Sequence, residues 1–138
     1  MKQKGYQVIG LSCYVNGADI NLMGMIDVFE WANIFRYFDL CITDRFHATI
    51  FSIRHGIPFI TIDNETHYQE YESKTSFLLH SAGLEEHHIN MIRKGWGEFE
   101  ERIERIKRTE ETRKKLIQKF GELKDKCMNS FIKVVENL

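Results

Sequence analysis

The segment 39–60 reads DLCITDRFHATIFSIRHGIPFI and predicts a strand, a helix and a second strand in immediate succession. Asp39 to Thr43 is a short apolar run typical of a buried strand. Arg45 to His55 has helical spacing, Gly56 fits the cap that ends that helix, and Phe59 to Ile62 is the next strand. The apolar face of the helix would consist of Phe46, Ile50 and Ile53. Short apolar strands separated by helices predict an α/β fold with a parallel sheet covered on both faces.

The sequence before this segment predicts one more strand and one more helix. Tyr6 to Tyr14 is an apolar run rich in strand-forming residues, and Gly5 would cap a helix of which Met1 to Lys4 is the last turn. Met25 to Phe38 has helical spacing. Its buried face would consist of Ile26, Phe29, Trp31, Ile34, Phe35 and Phe38. We expect Phe29, Trp31 and Phe35 to be core residues and not a stacking platform.

After the second strand, the sequence is increasingly helical and charged. Ser73 can act as the N-cap of a helix that ends before Gly83. Beyond Gly97 the apolar spacing predicts two helices with a break near Thr109, so residues 98–138 would form a helical extension. Charged residues interrupt the apolar stripe, which favours helices packed on the domain over a continuous coiled coil.

Size and charge narrow the classes of function. A chain of 138 residues is the size of one domain, so we predict a single Rossmann-like domain over residues 1–138. A formal net charge of −1 does not favour nucleic acid or an anionic membrane as partner. The sequence lacks an apolar run of membrane-spanning length and a signal peptide, which predicts a cytoplasmic protein. The three widely spaced cysteines, Cys13, Cys41 and Cys127, are expected to be reduced, with Cys41 buried in a strand.

The first candidate site lies where the strand ending at Thr43 meets the next helix. Ligands of open parallel sheets bind beyond the carboxyl ends of the strands, where helix N-termini present free N–H groups to anions. If Thr43 or Asp44 caps the helix, Arg45 and His47 both lie in its first turn and face one phosphate or carboxylate, and a bound phosphate would favour a protonated His47. The alternative is structural: Arg45 pairs with Asp44, and the His47 ring is satisfied by the backbone.

A second group of candidates follows the strand Phe59 to Ile62. The polar segment from Asp63 to Glu72 is the expected functional loop, with Asp63 and Asn64 as candidate binding residues. Lys74 lies in the first turn of a helix, where a cation opposes the helix dipole, so it either balances ligand charge or is a solvated surface lysine. The remaining histidines lack the spacing of zinc ligands, so we expect no metal site, and His87 and His88 are predicted on a solvated turn.

These motifs resemble the C-terminal part of the polysaccharide pyruvyl transferase family. The resemblance is carried by Glu30-Trp31, by the stretch from Phe38 to Ser52 with its Thr-Asp-Arg-Phe-His turn, and by Gly56-Ile57-Pro58-Phe59-Ile60. It continues through Lys74 to the helix end at Gly83 and covers about residues 6 to 90. Many members have Ser at the position of Arg45 and Gly at that of Ala48, so the resemblance supports His47 more directly than Arg45.

The resemblance implies transfer of the pyruvyl group of phosphoenolpyruvate to two hydroxyls of a sugar, which forms a ketal on a polysaccharide or its lipid-linked precursor. It also implies a two-domain glycosyltransferase B arrangement. Arg45 would then bind the phosphate or carboxylate of phosphoenolpyruvate, His47 would be the general acid and Lys74 an auxiliary cation, with no cofactor beyond the donor substrate.

Members of that family are longer than this chain. The chain is therefore expected to be the C-terminal, donor-binding half of a larger enzyme, inactive alone and completed by an N-terminal half or by a second copy. Two other functions fit the same fold pattern. One is the donor domain of a sugar-nucleotide glycosyltransferase, with Asp63 or Glu65 on the ribose, and the other is a non-catalytic module that associates through residues 98–138.

Overall fold

In the computed structural model, the described residues are Met1, 5–63, 72–106 and 109–136. They form two compact units, Met1–Ile34 and Phe35–Leu138. Of the predicted helix turn before Gly5, residues 2–4 lie outside the described part, as do Asn64 and Glu65 of the predicted functional loop.

The first unit contains a small parallel sheet. Strand β1 (Ile9–Gly10) pairs with β2 (Ile20–Asn21). The predicted strand from Tyr6 to Tyr14 is therefore only two residues long. Beyond this strand, the Val15 N–H donates to the side-chain oxygen of Asn21 in β2 at 2.8 Å.

Helix α1 (Val28–Ile34) is shorter than the predicted span of Met25 to Phe38. Asp27 begins it, since its Oδ1 accepts from the N–H groups of Phe29 at 2.7 Å and Glu30 at 2.8 Å, while Glu30 Oε2 accepts from the Asp27 N–H at 2.9 Å. This reciprocal pair is a capping box. A 3₁₀ helix, Phe35–Tyr37, follows.

The aromatic residues predicted for the buried face of this segment differ in their burial. Phe35 is buried, as predicted. Phe29 is 76% exposed, so its prediction as a core residue was wrong. Trp31 is only partly buried and donates from Nε1 to Ser12 Oγ at 3.1 Å.

The second unit contains a parallel three-stranded sheet in the order β3-β4-β5, formed by Cys41–Thr43, Phe59–Asp63 and His88–Asn90. Cys41 is level with Phe59, Thr43 with Thr61, and Thr61 with His88. Helix α2 (Phe46–His55) connects β3 to β4, and α3 (Lys74–Ala82) lies between β4 and β5. The predicted α/β fold with helices flanking a parallel sheet is confirmed.

The predicted C-cap of α2 and both predicted caps of α3 are confirmed, whereas the N-cap of α2 is Arg45 and not the predicted Thr43 or Asp44. Gly56 and Gly83 end α2 and α3 in the left-handed conformation, with φ of 67° and 65°. Ser73 caps α3, because its side chain accepts from the Ser76 N–H at 3.0 Å. The predicted buried face of α2 was partly wrong: Phe46 is 38% exposed, and the buried residues are Ala48, Thr49, Ser52 and Ile53.

Two charged helices, α4 (Met91–Arg105) and α5 (Glu110–Glu136), end the chain. The predicted break near Thr109 is confirmed, with Thr109 Oγ1 accepting from the Thr112 N–H at 3.1 Å. Leu116 anchors α5 in a buried cluster with Ile53 of α2, Phe59 of β4 and Leu79 of α3, which also includes Leu84 just after α3. Helix α5 therefore packs on the sheet domain.

Candidate functional site

The amino terminus of α2 lies directly after the carboxyl end of β3. Arg45 is the N-cap in extended backbone conformation, and its N–H donates to Thr43 Oγ1 at 2.9 Å. The helix begins one residue later than predicted, so Arg45 precedes the first turn while His47 lies within it. Both side chains are exposed. An anion at this end would meet the unpaired N–H groups of the first turn and two basic side chains.

Arg45 forms an ion pair with its neighbour. Its Nε lies 3.2 Å from Asp44 Oδ1, and the two side chains are 67% and 47% exposed. This is the ion pair that we expect if Arg45 has only a structural role. Exposed ion pairs contribute only about 0 to 1 kcal/mol, so a ligand phosphate that binds Arg45 has little to displace.

Lys74 is the first residue of α3, as predicted, and its side chain is exposed. It lines an open groove of about 790 Å³ together with Phe46, the residue between Arg45 and His47. The apolar part of the groove comes from Phe46, Phe77, Leu78, Leu123 and Cys127. The groove therefore connects the amino termini of α2 and α3, and Lys74 lies at its polar rim.

Asp63 ends β4 and is bound by a histidine that the sequence did not indicate. His88 Nε2 lies 3.2 Å from Asp63 Oδ2, with the two side chains only 14% and 8% exposed. The other ring nitrogen, Nδ1, lies 3.1 Å from Thr61 Oγ1, which is also 3.3 Å from the carbonyl of His87. Thr61 donates to Nδ1 when the ring is neutral, and to the His87 carbonyl when the ring carries both protons.

His87 is buried, so the prediction of a solvated turn at His87 and His88 was wrong. Its ring stacks on Phe59 with 4.4 Å between centroids, and Nδ1 lies 2.8 Å from the Phe59 carbonyl. Burial lowers the pKa of His87 below its ordinary value, although the hydrogen bond to Phe59 and the charge of Glu86 act in the opposite direction. Nδ1 therefore carries the proton donated to Phe59, and the ring is held neutral.

The three cysteines are free, as expected. Cys13 and Cys127 are exposed, whereas Cys41 in β3 is only partly buried. Burial raises the pKa of the Cys41 thiol to about 11, against a smaller opposing effect of its hydrogen bond with Ser52. Cys41 is thus a protonated thiol and not a nucleophile at neutral pH.

The predicted site residues share one edge of the sheet but have different partners. Arg45 and His47 begin α2, Asp63 ends β4 beside them, and Lys74 begins α3. Asp63 is paired with His88, whereas Arg45 is paired with Asp44. Arg45, His47 and Lys74 present exposed charge or ring nitrogen at this edge, while Asp63 belongs to a buried network.

Residues 14–66 match the family model described as polysaccharide pyruvyl transferase. The match covers less than half of the 138 residues and shows that this segment is similar to the family. In the second unit, the matched segment contains β3, α2 and β4, and with them Arg45, His47 and Asp63, whereas Lys74 lies beyond it. No curated protein and no solved structure matches the chain. None of the described helices has the length and apolar character needed to cross a membrane.

Proposed function

We propose that this chain binds phosphoenolpyruvate at the amino terminus of α2 and serves the transfer of its pyruvyl group to two hydroxyls of a sugar. One observation carries the proposal: the segment matched by the pyruvyl transferase family places Arg45 and His47 at a helix amino terminus on the carboxyl edge of a parallel sheet. That position is the general ligand site of open α/β sheets, and it favours an anionic ligand.

In the proposed reaction, Arg45 and the first N–H groups of α2 hold the phosphate or carboxylate of the donor. Protonated His47 gives its proton to C3 of the enol phosphate while a sugar hydroxyl oxygen bonds to C2, and the proton of that hydroxyl passes to a phosphate oxygen of the donor. The C2–O bond to phosphate then breaks, and phosphate leaves with the bonding electrons. The second hydroxyl oxygen bonds to C2 and loses its proton, which completes the ketal and restores the proton of His47. Lys74 adds positive charge at the rim of the neighbouring groove.

The wider features of the enzyme belong to the same proposal. The second unit would be the Rossmann-like, donor-binding half of a glycosyltransferase B arrangement, and the walls around the acceptor would come from another domain or a second copy. The acceptor would be a sugar of a polysaccharide or of its lipid-linked precursor, and no cofactor would be required. Three free cysteines support a reducing compartment such as the cytoplasm.

The buried pair of Asp63 and His88 argues against the sugar-nucleotide alternative. A carboxylate that holds a ribose must present its oxygens to the ligand. Asp63 instead has one oxygen 3.2 Å from His88 Nε2, and its side chain is only 8% exposed. We therefore propose that Asp63 shapes the edge of the site through His88 and does not bind a nucleotide. Asn64, the other predicted binding residue of this loop, lies outside the described residues.

Calorimetric titration of the chain with phosphoenolpyruvate tests the proposal. Arg45→Ala should weaken binding by about 1.5 to 3 kcal/mol, or about tenfold to over a hundredfold, because a charge-assisted hydrogen bond is lost. Arg105→Ala is the matched control, since Arg105 is 73% exposed and pairs with Glu101 elsewhere on the surface. Equal affinities of the two variants would show that Arg45 does not bind the donor.

NMR of the histidine rings tests the role of His47. Saturation with phosphoenolpyruvate should protonate His47 at a pH where its ring is neutral without ligand, because the phosphate reverses the unfavourable field of the helix end. His80 is the internal control, as an exposed histidine on α3 whose Nδ1 lies 3.1 Å from Glu85. A His47 ring that stays neutral or loses its proton on saturation would exclude it as the general acid.

A further inference from the structure

Large apolar side chains are exposed on the carboxyl half of α5. The earlier turns of this helix pack on the buried core, but every residue from Lys124 to Lys133 is exposed to solvent. Phe131 is 65% exposed, and Met128 and Ile132 are exposed as well. Single exposed apolar residues are common in soluble proteins, whereas neighbouring ones in successive turns form a patch of the kind that marks an interaction surface.

The patch continues onto α3. The open groove of about 790 Å³ is lined by Lys74 and Phe77 of α3 and by Lys126 and Cys127 of α5. Phe77 is 63% exposed. Phe131 follows Cys127 by four residues, so both lie on the same face of α5. We call these exposed apolar residues the α3–α5 patch, which consists of Phe77, Cys127, Met128, Phe131 and Ile132.

The spacing on α5 indicates what kind of partner the patch fits. Its apolar positions are two adjacent pairs four residues apart, 127–128 and 131–132. At about 100° per residue they span an arc of about 140° around the helix. A partner helix buries a narrower seam, in which apolar residues alternate at intervals of three and four. A wide apolar arc is typical of a helix that lies in the interface of a membrane.

Lysines border the patch. Lys74 and Lys126 line the groove, and Lys124 lies one turn before the exposed apolar pairs. All three are exposed, and within the described part of the chain none of them forms an ion pair. The carboxylates at this surface are Glu72 and Asp125, so the lysines outnumber them although the whole chain has a formal net charge of −1. Lysine stems can lie along apolar surface while their ammonium groups reach lipid phosphates.

We propose that the α3–α5 patch docks the chain on a bilayer that contains anionic lipids. Met128, Phe131 and Ile132 would lie among the acyl chains just below the headgroups, with the lysines at the headgroup phosphates. Helix α5 would lie on the bilayer, since no described helix has the length and apolar character to cross it. The proposal rests on this surface and not on the proposed transfer reaction. Because Phe46 lines the same groove, docking would bring the amino terminus of α2 close to the membrane.

Co-sedimentation of the intact chain with vesicles tests the proposal. Vesicles of phosphatidylcholine with about one third phosphatidylglycerol should bind the chain, and phosphatidylcholine alone should bind it much less, since each lysine near an anionic surface contributes about fivefold in affinity. Phe131→Gln should weaken binding by about tenfold or more, because an inserted aromatic side chain is lost. Tyr37→Gln, at a residue 76% exposed in the 3₁₀ helix, is the matched control. Lys126→Gln should weaken binding about fivefold, whereas Lys114→Gln near the amino end of α5 should not.

Fluorescence shows which side chain enters the bilayer. The added tryptophan of Phe131→Trp should be quenched by lipids with brominated acyl chains. Quenching in Tyr37→Trp should not exceed that of the parent chain, whose own tryptophans are Trp31 and Trp96. Equal quenching of the two added tryptophans would contradict insertion of the α3–α5 patch.

Two other outcomes would overturn the proposal. The first is an absence of binding to the anionic vesicles, or an equal effect of Phe131→Gln and Tyr37→Gln. The second is a dimer in sedimentation velocity that Phe131→Gln dissociates while the parent chain binds no vesicles, which would make the patch a contact between two copies. If circular dichroism shows that Phe131→Gln does not fold, Met128→Gln and Lys126→Gln decide. Phe131→Gln should bind phosphoenolpyruvate like the parent chain, so failure of docking and failure of the donor site are distinguishable.

Discussion

Burial of the neutral His87 ring predicts that the domain loses stability in mildly acidic solution. The ordinary pKa of a histidine is 6.5, and burial lowers the pKa of His87 in the folded chain. Below about pH 6.5 the unfolded chain therefore takes up a proton at this residue that the folded chain does not, so stability falls as the pH falls. Between about pH 7.5 and about pH 5.5 this difference amounts to at most about 1.4 kcal/mol.

Urea unfolding followed by circular dichroism at several pH values in this range measures the loss. The carboxylate of Glu86 should add little: partial burial raises its pKa, but the hydrogen bond from Lys115, together with other contacts, holds it below the ordinary value. His87→Asn keeps an N–H donor near the Phe59 carbonyl without a titrating ring, so its stability should depend less on pH. His80→Asn is the control at an exposed histidine. If His87→Asn and the parent chain lost the same stability over this range, His87 would not be the buried neutral group described above.

Three further predictions concern packing and thiol chemistry. Leu116→Ala should lower the free energy of unfolding by about 2 to 5 kcal/mol, because Leu116 is fully buried. Ile117→Ala is the control: its residue is 42% exposed, so the same urea assay should show a far smaller loss. Gly83→Ala should lower the free energy of unfolding by about 1 to 2 kcal/mol, because alanine is strained in the left-handed backbone conformation. Gly56→Ala should lower it clearly more, since its Cβ would also collide with Arg113. Equal losses for the two variants would contradict the close approach of α5. Cys13 and Cys127 should react rapidly with a thiol reagent in the native chain, while Cys41 should react only on unfolding, a difference that mass spectrometry of the labelled peptides resolves.

The sequence predicted three helix ends correctly, because glycine and serine have specific roles at helix termini. Gly56 and Gly83 end their helices in the left-handed conformation, and Ser73 begins one with a side-chain hydrogen bond, as their positions indicated. The buried face of α2 could not be read in the same way. Thr49 and Ser52 are polar by composition, yet both are buried because their hydroxyls donate to the carbonyls of Arg45 and Ala48 in their own helix.

The strand β5 shows why the sequence did not reveal the Asp63–His88 pair. Only Ile89 of its three residues is apolar, so it carries no periodic signal, and two adjacent histidines read as a solvated turn. The spacing after the helix caps nevertheless indicates a third strand. Strand β4 begins three residues after the cap Gly56, and β5 begins five residues after the cap Gly83. A third parallel strand beside β4 then places His88 level with Thr61, from where its ring reaches the carboxylate that ends β4. Two groups that look solvated in the sequence thus become a buried pair at the edge where Arg45 and His47 begin α2. We therefore expect the shape of the proposed donor site to depend on His88, which lies more than forty positions after His47 in the sequence.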